Sequence, residues 1–363
     1  MFQILLFKIL TTIFKRLKKR SITNNFSSNK ISKVLVVCTG GVGDILMCTP
    51  AIRAVKETFP DSHLTALVHL RKKALLEFNT SIDDLMPIKK NLYYYTTLYK
   101  ALKKKDPPDA VFLFHTNEPF VYCLTYLVYP GKLAGYRSDN PFDFLLERSI
   151  EFNKKLHVIE NNLKMVSLIG AHTNNKKMDF ILEKMKKDRV ENFFPIHSDT
   201  RPVIGFQIGS GALGRCWPIQ KYAELGNRLI KELGANIILL GSQKERCLVK
   251  KLNRLLEKPA KPAIVSLHAA GNIICKLDAL VTPNTGPMHI AFALDCPSVV
   301  LSGPTNPKNF GPLETNVKHC YIHKSVKEEP YVKLSGDHSL TMNRIKTEEV
   351  FDALLGILNI SGT

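Results

Sequence analysis

Three loops in this chain join glycine to charged or polar side chains in patterns that could do chemistry. The first is Thr39-Gly-Gly-Val-Gly-Asp44, where Gly40, Gly41 and Gly43 lead into an aspartate at the mouth of an apolar-periodic stretch. An aspartate there either caps a helix, worth about 1 kcal/mol, or stands on a rigid turn as a general base that glycines let a substrate hydroxyl approach. No Gly-Lys-Ser/Thr follows, so this is not a nucleoside-triphosphate loop. Leu46 stands where a dinucleotide fingerprint has its third glycine.

The second loop is Gln207-Ile-Gly-Ser-Gly-Ala-Leu-Gly-Arg-Cys-Trp-Pro218. Backbone N–H groups around Ser210 and Gly211 can cradle anionic oxygens, and Arg215 offers a forked cationic donor. The plainer alternative is a surface connection with Trp217 stapling the next helix. The third, Thr282-Pro-Asn-Thr-Gly-Pro-Met-His-Ile-Ala291, is the most specific. Asn284 or Thr285 caps, Gly286 clears room for a ligand, Pro287 sits near the first helical position, and Met288 and His289 lie in the first turn. A helix start of this kind offers free N–H groups and about half a positive charge to a diphosphate. His289 adds a donor, unless it is an ordinary packed histidine. Ser302-Gly-Pro-Thr-Asn-Pro307 makes one more strand-end turn on the same face.

The elements that must position these loops alternate between short apolar runs and helical stretches. Val34–Cys38, His63–His69 and Ala110–Phe114 read as strands in the first half, with helices over 44–58, 93–105 and 154–170. After the charged stretch 176–201 the alternation restarts. Strands are expected at 203–208, 236–240, 264–267, 279–282 and 298–302, and helices at 218–233 and about 244–257. This is an α/β chain of two doubly wound parallel sheets facing a cleft, with the chemistry expected in the loops at the carboxyl ends of the strands. The expected division is a leader and linker over 1–30, a first domain over 31–195, a second over 196–345 and a C-terminal helix over 346–363.

The 363 residues carry a net charge of +19, and eight of the basic residues lie between Met1 and Lys33, where no acidic residue occurs. That leader also holds Phe2, Leu5, Leu6, Ile9, Ile13, Phe14 and Leu17. It is too short for a spanning helix, which needs about 20 apolar residues, and its charge follows the apolar part, the reverse of a secretory signal. Two readings remain: an amphipathic helix lying on an anionic membrane surface, or a frayed basic tail. The eight cysteines form no CxxC pair or zinc-like cluster and read as reduced thiols of a cytoplasmic protein.

These loops, in this order, resemble glycosyltransferase family 9, the heptosyltransferases of lipopolysaccharide core synthesis. The likeness runs from about Val34 to Pro312. It includes Gly41-x-Gly43-Asp44 with Thr49-Pro50-Ala51-Ile52, Gly135-Tyr136-Arg137, His157 to Leu163, Gly211 to Trp217-Pro218, Leu240-Gly241-Ser242, Asn284 to His289 and Ser302-Gly-Pro-Thr305. The resemblance implies a GT-B fold and a metal-independent inverting transfer from a nucleotide-heptose, most simply ADP-heptose, to a phosphorylated glycolipid of the lipopolysaccharide core. Together, the basic leader and the scattered cysteines fit a cytoplasmic, peripheral protein on the inner face of a bacterial inner membrane. Asp44 would be the base on an acceptor-side loop of Gly40, Gly41 and Gly43. Ser210, Gly211, Arg215, Asn284, Thr285, Gly286, Met288 and His289 would bind the donor. Glu245 matches an acidic residue that contacts the nucleoside; otherwise it is a solvated residue of a helix's first turn. Arg215 stands for the family's lysine, and Asn284 for its aspartate.

Other classes fit less well. A nicotinamide-dependent oxidoreductase requires a third glycine and an acidic residue closing the second strand, where this chain has Leu46 and the basic stretch His63–Arg71. No helix-turn-helix, zinc or RNP-like signature points to nucleic acid. A catalytically lapsed, saccharide-binding or membrane-tethering relative is suggested by Asn284 and opposed by Asp44.

Overall fold

The computed structural model describes residues 11–18, 31–89, 92–114, 119–137, 140–183, 191–194, 201–211, 213–303, 307–314, 317–324 and 339–360. The β-branched, wholly apolar runs of the sequence become central strands, because a strand covered by helices on both faces has no side to give to water. In the first unit these are β1 (Lys33–Cys38), β2 (His63–His69) and β4 (Ala110–Phe114), joined by β3 (Asp84–Ile88), β5 (Leu133–Arg137) and β6 (Arg148–Glu151). All pair in parallel, in the order β3-β2-β1-β4-β5-β6. The second unit repeats the plan with β7 (Val203–Gln207), β8 (Asn236–Gly241), β9 (Lys261–Ile264), β10 (Ala279–Pro283), β11 (Ser298–Ser302) and β12 (His319–His323), ordered β12-β11-β10-β7-β8-β9. Each sheet thus reverses direction beside its first strand, the switch point at which such sheets bind ligands.

The differences from expectation have local causes. The single helix expected over 44–58 is two, Val42–Leu46 and Thr49–Thr58, with Pro50 in the first turn of the second, where its missing N–H costs nothing. The strand expected at 264–267 ends at Ile264, and Ser266 instead caps the helix Leu267–Ile274 by accepting the Ala269 N–H. The chain divides into two units between Asp179 and Phe180, earlier than the expected 195/196 junction. Asp179 is bound to the first unit, its carboxylate 2.5 Å from Arg53 and its N–H donated to Thr49. Phe180 turns to the second, stacking on His268 at 5.8 Å over the space left by Gly271. The C-terminal helix Thr347–Leu358 packs into the core of the second unit through Val350, Phe351 and Leu354.

Part of the leader is anchored. Residues 11–18 are helical, with Phe14 only 4% exposed in the first unit's core, against Tyr126 and Phe142 at 6.1 and 6.2 Å. Lys18 donates to the carbonyls of Phe144 and Leu146. Ile13 and Leu17 stay exposed beside Lys15 and Arg16. The rest of the leader, 1–10 and 19–30, lies outside the described residues. Among the described residues no helix is long and apolar enough to cross a membrane.

Candidate active site

At the carboxyl end of β1 the chain turns through the glycines into helix Val42–Leu46, whose N-cap is Gly41. Asp44 is therefore the third helical residue and not the cap itself. Its Oδ2 reaches back to accept the Gly41 N–H at 2.6 Å, and Oδ1 has no partner among the described residues. A Cβ on Gly40 would fall 2.7 Å from both Cβ and Oδ2 of Asp44, so only glycine leaves the carboxylate in this position. Lys72, in the turn Leu70–Leu75 after β2, donates to the Gly40 carbonyl.

The turn is held from beneath. The Cys48 thiol, pushed up by burial and then by contact with Cys38, stays protonated and donates to the Asp44 carbonyl at 3.0 Å. Tyr136, whose phenol burial also pushes up, donates to Asn162 at 2.7 Å, and the fully buried Asn162 amide donates to the Met47 carbonyl at 2.8 Å. The stretches around Tyr136 and 157–163 thus converge under the aspartate turn. Nothing in its local spacing marks Lys72, while Tyr136 and Asn162 lie within the Gly135-Tyr136-Arg137 and His157–Leu163 stretches of the family resemblance, which give them no individual role.

In the second unit the two other loops emerge side by side, since β7 and β10 are parallel neighbours at the switch point. The Ser210 N–H faces the Cys216 sulfur, while burial, with the Glu245 carboxylate nearby, pushes the thiol up. Arg215 is half-buried, its guanidinium lowered from its usual range by burial. Its Nε has no hydrogen bond, and no acidic partner exists among the described residues. A guanidinium stays protonated even so, which leaves a half-buried cation able to take an anion. Glu245 follows β8, accepts the Ser242 N–H at 2.6 Å and lies against Gly209, where a Cβ would overlap its carboxylate. Trp217 fulfils the stapling alternative: it is buried edge-on to Tyr222 at 4.8 Å and donates to the Ile345 carbonyl. Beside Gly211 the space for a Cβ is open.

After β10, Thr285 and not Asn284 is the N-cap of helix Gly286–Ala293, and no side chain caps its first turn. The Thr285 hydroxyl turns away to donate to Pro283. The Asn284 amide nitrogen is buried without a hydrogen-bond partner. Met288 is fully buried and His289 nearly so, its ring 6.2 Å from Phe292. Ser302 closes β11, while Thr305 lies outside the described residues. Among the described residues no group of three or more His, Cys, Asp or Glu could hold a metal ion.

Two doubly wound parallel sheets of identical strand order, with glycine-bearing loops at the carboxyl ends of their first strands, are the architecture of GT-B glycosyltransferases. The chain belongs to glycosyltransferase family 9, the heptosyltransferases, whose family model matches residues 119–334. It is 35% identical over 306 residues to lipooligosaccharide heptosyltransferase 2 of Haemophilus influenzae, covering 77% of this chain and 86% of that one. It is 36% identical over 302 residues to lipopolysaccharide heptosyltransferase 2 of Salmonella typhimurium, covering 77% and 85%. Its fold matches the solved structure of Escherichia coli ADP-heptose LPS heptosyltransferase II with a TM-score of 0.74 at 22% identity, over 90% of this chain and 98% of that one.

Proposed function

We propose that this chain transfers heptose from ADP-heptose to a phosphorylated acceptor of the lipopolysaccharide core by a single inverting displacement. The acceptor hydroxyl gives its proton to Asp44 and its oxygen bonds to the anomeric carbon. The bond from that carbon to the diphosphate breaks, with its electron pair leaving on ADP. Charge growing on the diphosphate meets Arg215, the Gly211 backbone beside Ser210 and the uncapped helix start at Thr285 and Gly286, with Asn284 and His289 beside it. These cationic and dipolar groups take the part a metal plays in other transferases. Met288 contributes by shaping the helix behind the loop, and Glu245 contacts the nucleoside.

The observation that carries this reading is the Asp44 carboxylate, with one oxygen engaged by Gly41 and the other left for a substrate proton. Replacing Asp44 by Asn should lower kcat by about 10³-fold and leave calorimetric ADP affinity within about twofold; unchanged turnover would remove the role.

We further propose that the enzyme works peripherally on the cytoplasmic face of the inner membrane. Its leader presents Lys15 and Arg16 with exposed Ile13 and Leu17 to anionic lipid. All eight cysteines are free, in keeping with a reducing compartment. Because Phe14 is part of the core, substitution tests this better than deletion. Ile13→Ser with Leu17→Ser should release the protein from phosphatidylglycerol vesicles at unchanged Tm, and retained vesicle binding would count against the leader as the contact.

A further inference from the structure

We infer that Lys72 is a positioning residue for the general base, acting through the peptide plane between Gly40 and Gly41; the inference rests on Asp44 being that base. β2 pairs in parallel with β1, Val68 beside Cys38, so the turn Leu70–Leu75 emerges at the same end of the sheet as the glycine loop. The Lys72 ammonium donates to the carbonyl of Gly40. The N–H on the far side of that same amide, belonging to Gly41, donates to Asp44 Oδ2. Cation, amide and carboxylate therefore form one chain of two charge-assisted hydrogen bonds.

Such a chain does two things. A cation on the carbonyl polarises the amide and strengthens its N–H as a donor. It also fixes which way the plane faces. Rotated over, the amide would turn its carbonyl oxygen towards the carboxylate and expel it. Glycine on both sides keeps Cβ atoms away from Asp44, yet it also makes this the freest stretch of backbone. The plane therefore needs an outside hold, and Lys72 supplies it. Of its neighbours, Lys73 pairs with Glu77, and Arg71 is exposed.

The test compares Lys72→Met and Lys72→Arg with Asp44→Asn in the full chain, reading ADP release from ADP-heptose with a purified core acceptor, calorimetric ADP affinity and Tm. A base displaced by about 1 Å costs up to about 10²-fold. Lys72→Met should therefore lose about 30-fold in kcat, with acceptor KM and ADP affinity each held within about threefold. Lys72→Arg keeps the cation and should recover kcat to within about fivefold of the parent. If the Met variant melts early, Lys72→Gln is expected to show the same loss at parental Tm. Parental kcat in Lys72→Met while Asp44→Asn is inactive would overturn the positioning role alone. So would a raised acceptor KM at constant kcat, which would make Lys72 a direct acceptor contact. An active Asp44→Asn would overturn the base assignment and this inference with it.

Discussion

The loops after β1 and β7 hold equivalent places in two sheets of the same strand order, with the β10 loop beside the latter, yet the polar groups of the two regions differ in state. Around Asp44 the groups are mutually engaged: Gly41 N–H to Oδ2, Lys72 to the Gly40 carbonyl, Cys48 to the Asp44 carbonyl and Asn162 beneath. In the second unit three are left open. Arg215 has no acidic partner among the described residues, the helix start at Gly286 has no side-chain cap, and the Asn284 amide nitrogen is unbonded. The contrast suits the proposed roles: a base must be held still before its substrate arrives, whereas an anion site must keep donors unspent until the anion comes. One fold accommodates both because switch-point loops can vary while the strands beneath them do not.

Three experiments would break or sharpen this contrast. The largest effect is expected from Gly40→Ala, whose Cβ would drive the Asp44 carboxylate from its place. kcat should fall about 10²-fold with ADP affinity unchanged; a loss of affinity instead would erase the distinction between the loops. Arg215→Ala should act the other way, weakening ADP binding about 10- to 30-fold by calorimetry, the scale of a hydrogen bond to a charged group. Arg215→Lys should keep most of the affinity, and an Ala variant that binds ADP normally would mean the cation faces something else.

The smallest effect concerns pH. Burial pushes the His319 imidazole down to about 4 from an ordinary 6.5, although Asp295 works in the opposite direction. The unfolded chain takes up this proton near pH 6.5 and the folded one only near 4, so the stability is fully present above pH 6.5 and drains as pH falls through that window. His319→Gln should reduce the Tm loss between those pH values by about 3 °C without altering kcat at neutral pH. An identical Tm profile would show that the histidine is not held neutral.

Central strands were legible in the sequence because both their faces are buried, so Val34–Cys38, Ala110–Phe114 and the Val299–Leu301 centre of β11 are written in apolar residues. Edge strands were not, nor was the internal β5, whose five residues include Gly135 and Arg137. β3 and β9 carry Pro87 and Pro262, which an edge tolerates because one side of it has no ladder to complete. β6 and β12 are edges as well, and their partly exposed residues dilute the pattern. Candidate loops were legible for a different reason. Glycine beside charge is rare where a chain merely connects, so Asp44 and Arg215 stand out without any fold, while Gly286 stands out by the Gly-Pro that opens a helix.

What the sequence determined by itself is therefore the local part: two runs of alternating strand and helix, their glycine-bearing strand ends, and the side-chain types available there. Only the tertiary structure decided which groups are spent and which are free. Lys72 reaches Gly40 across 32 residues of chain and Asn162 reaches Met47 across 115, while Arg215 is left uncompensated by the absence of an acid that could have come from any part of the described fold. Spacing along a chain registers neighbours a few residues apart, but hydrogen bonds and desolvation depend on distance in space, and the parallel pairing of β1 with β2 and of β7 with β10 sets those distances.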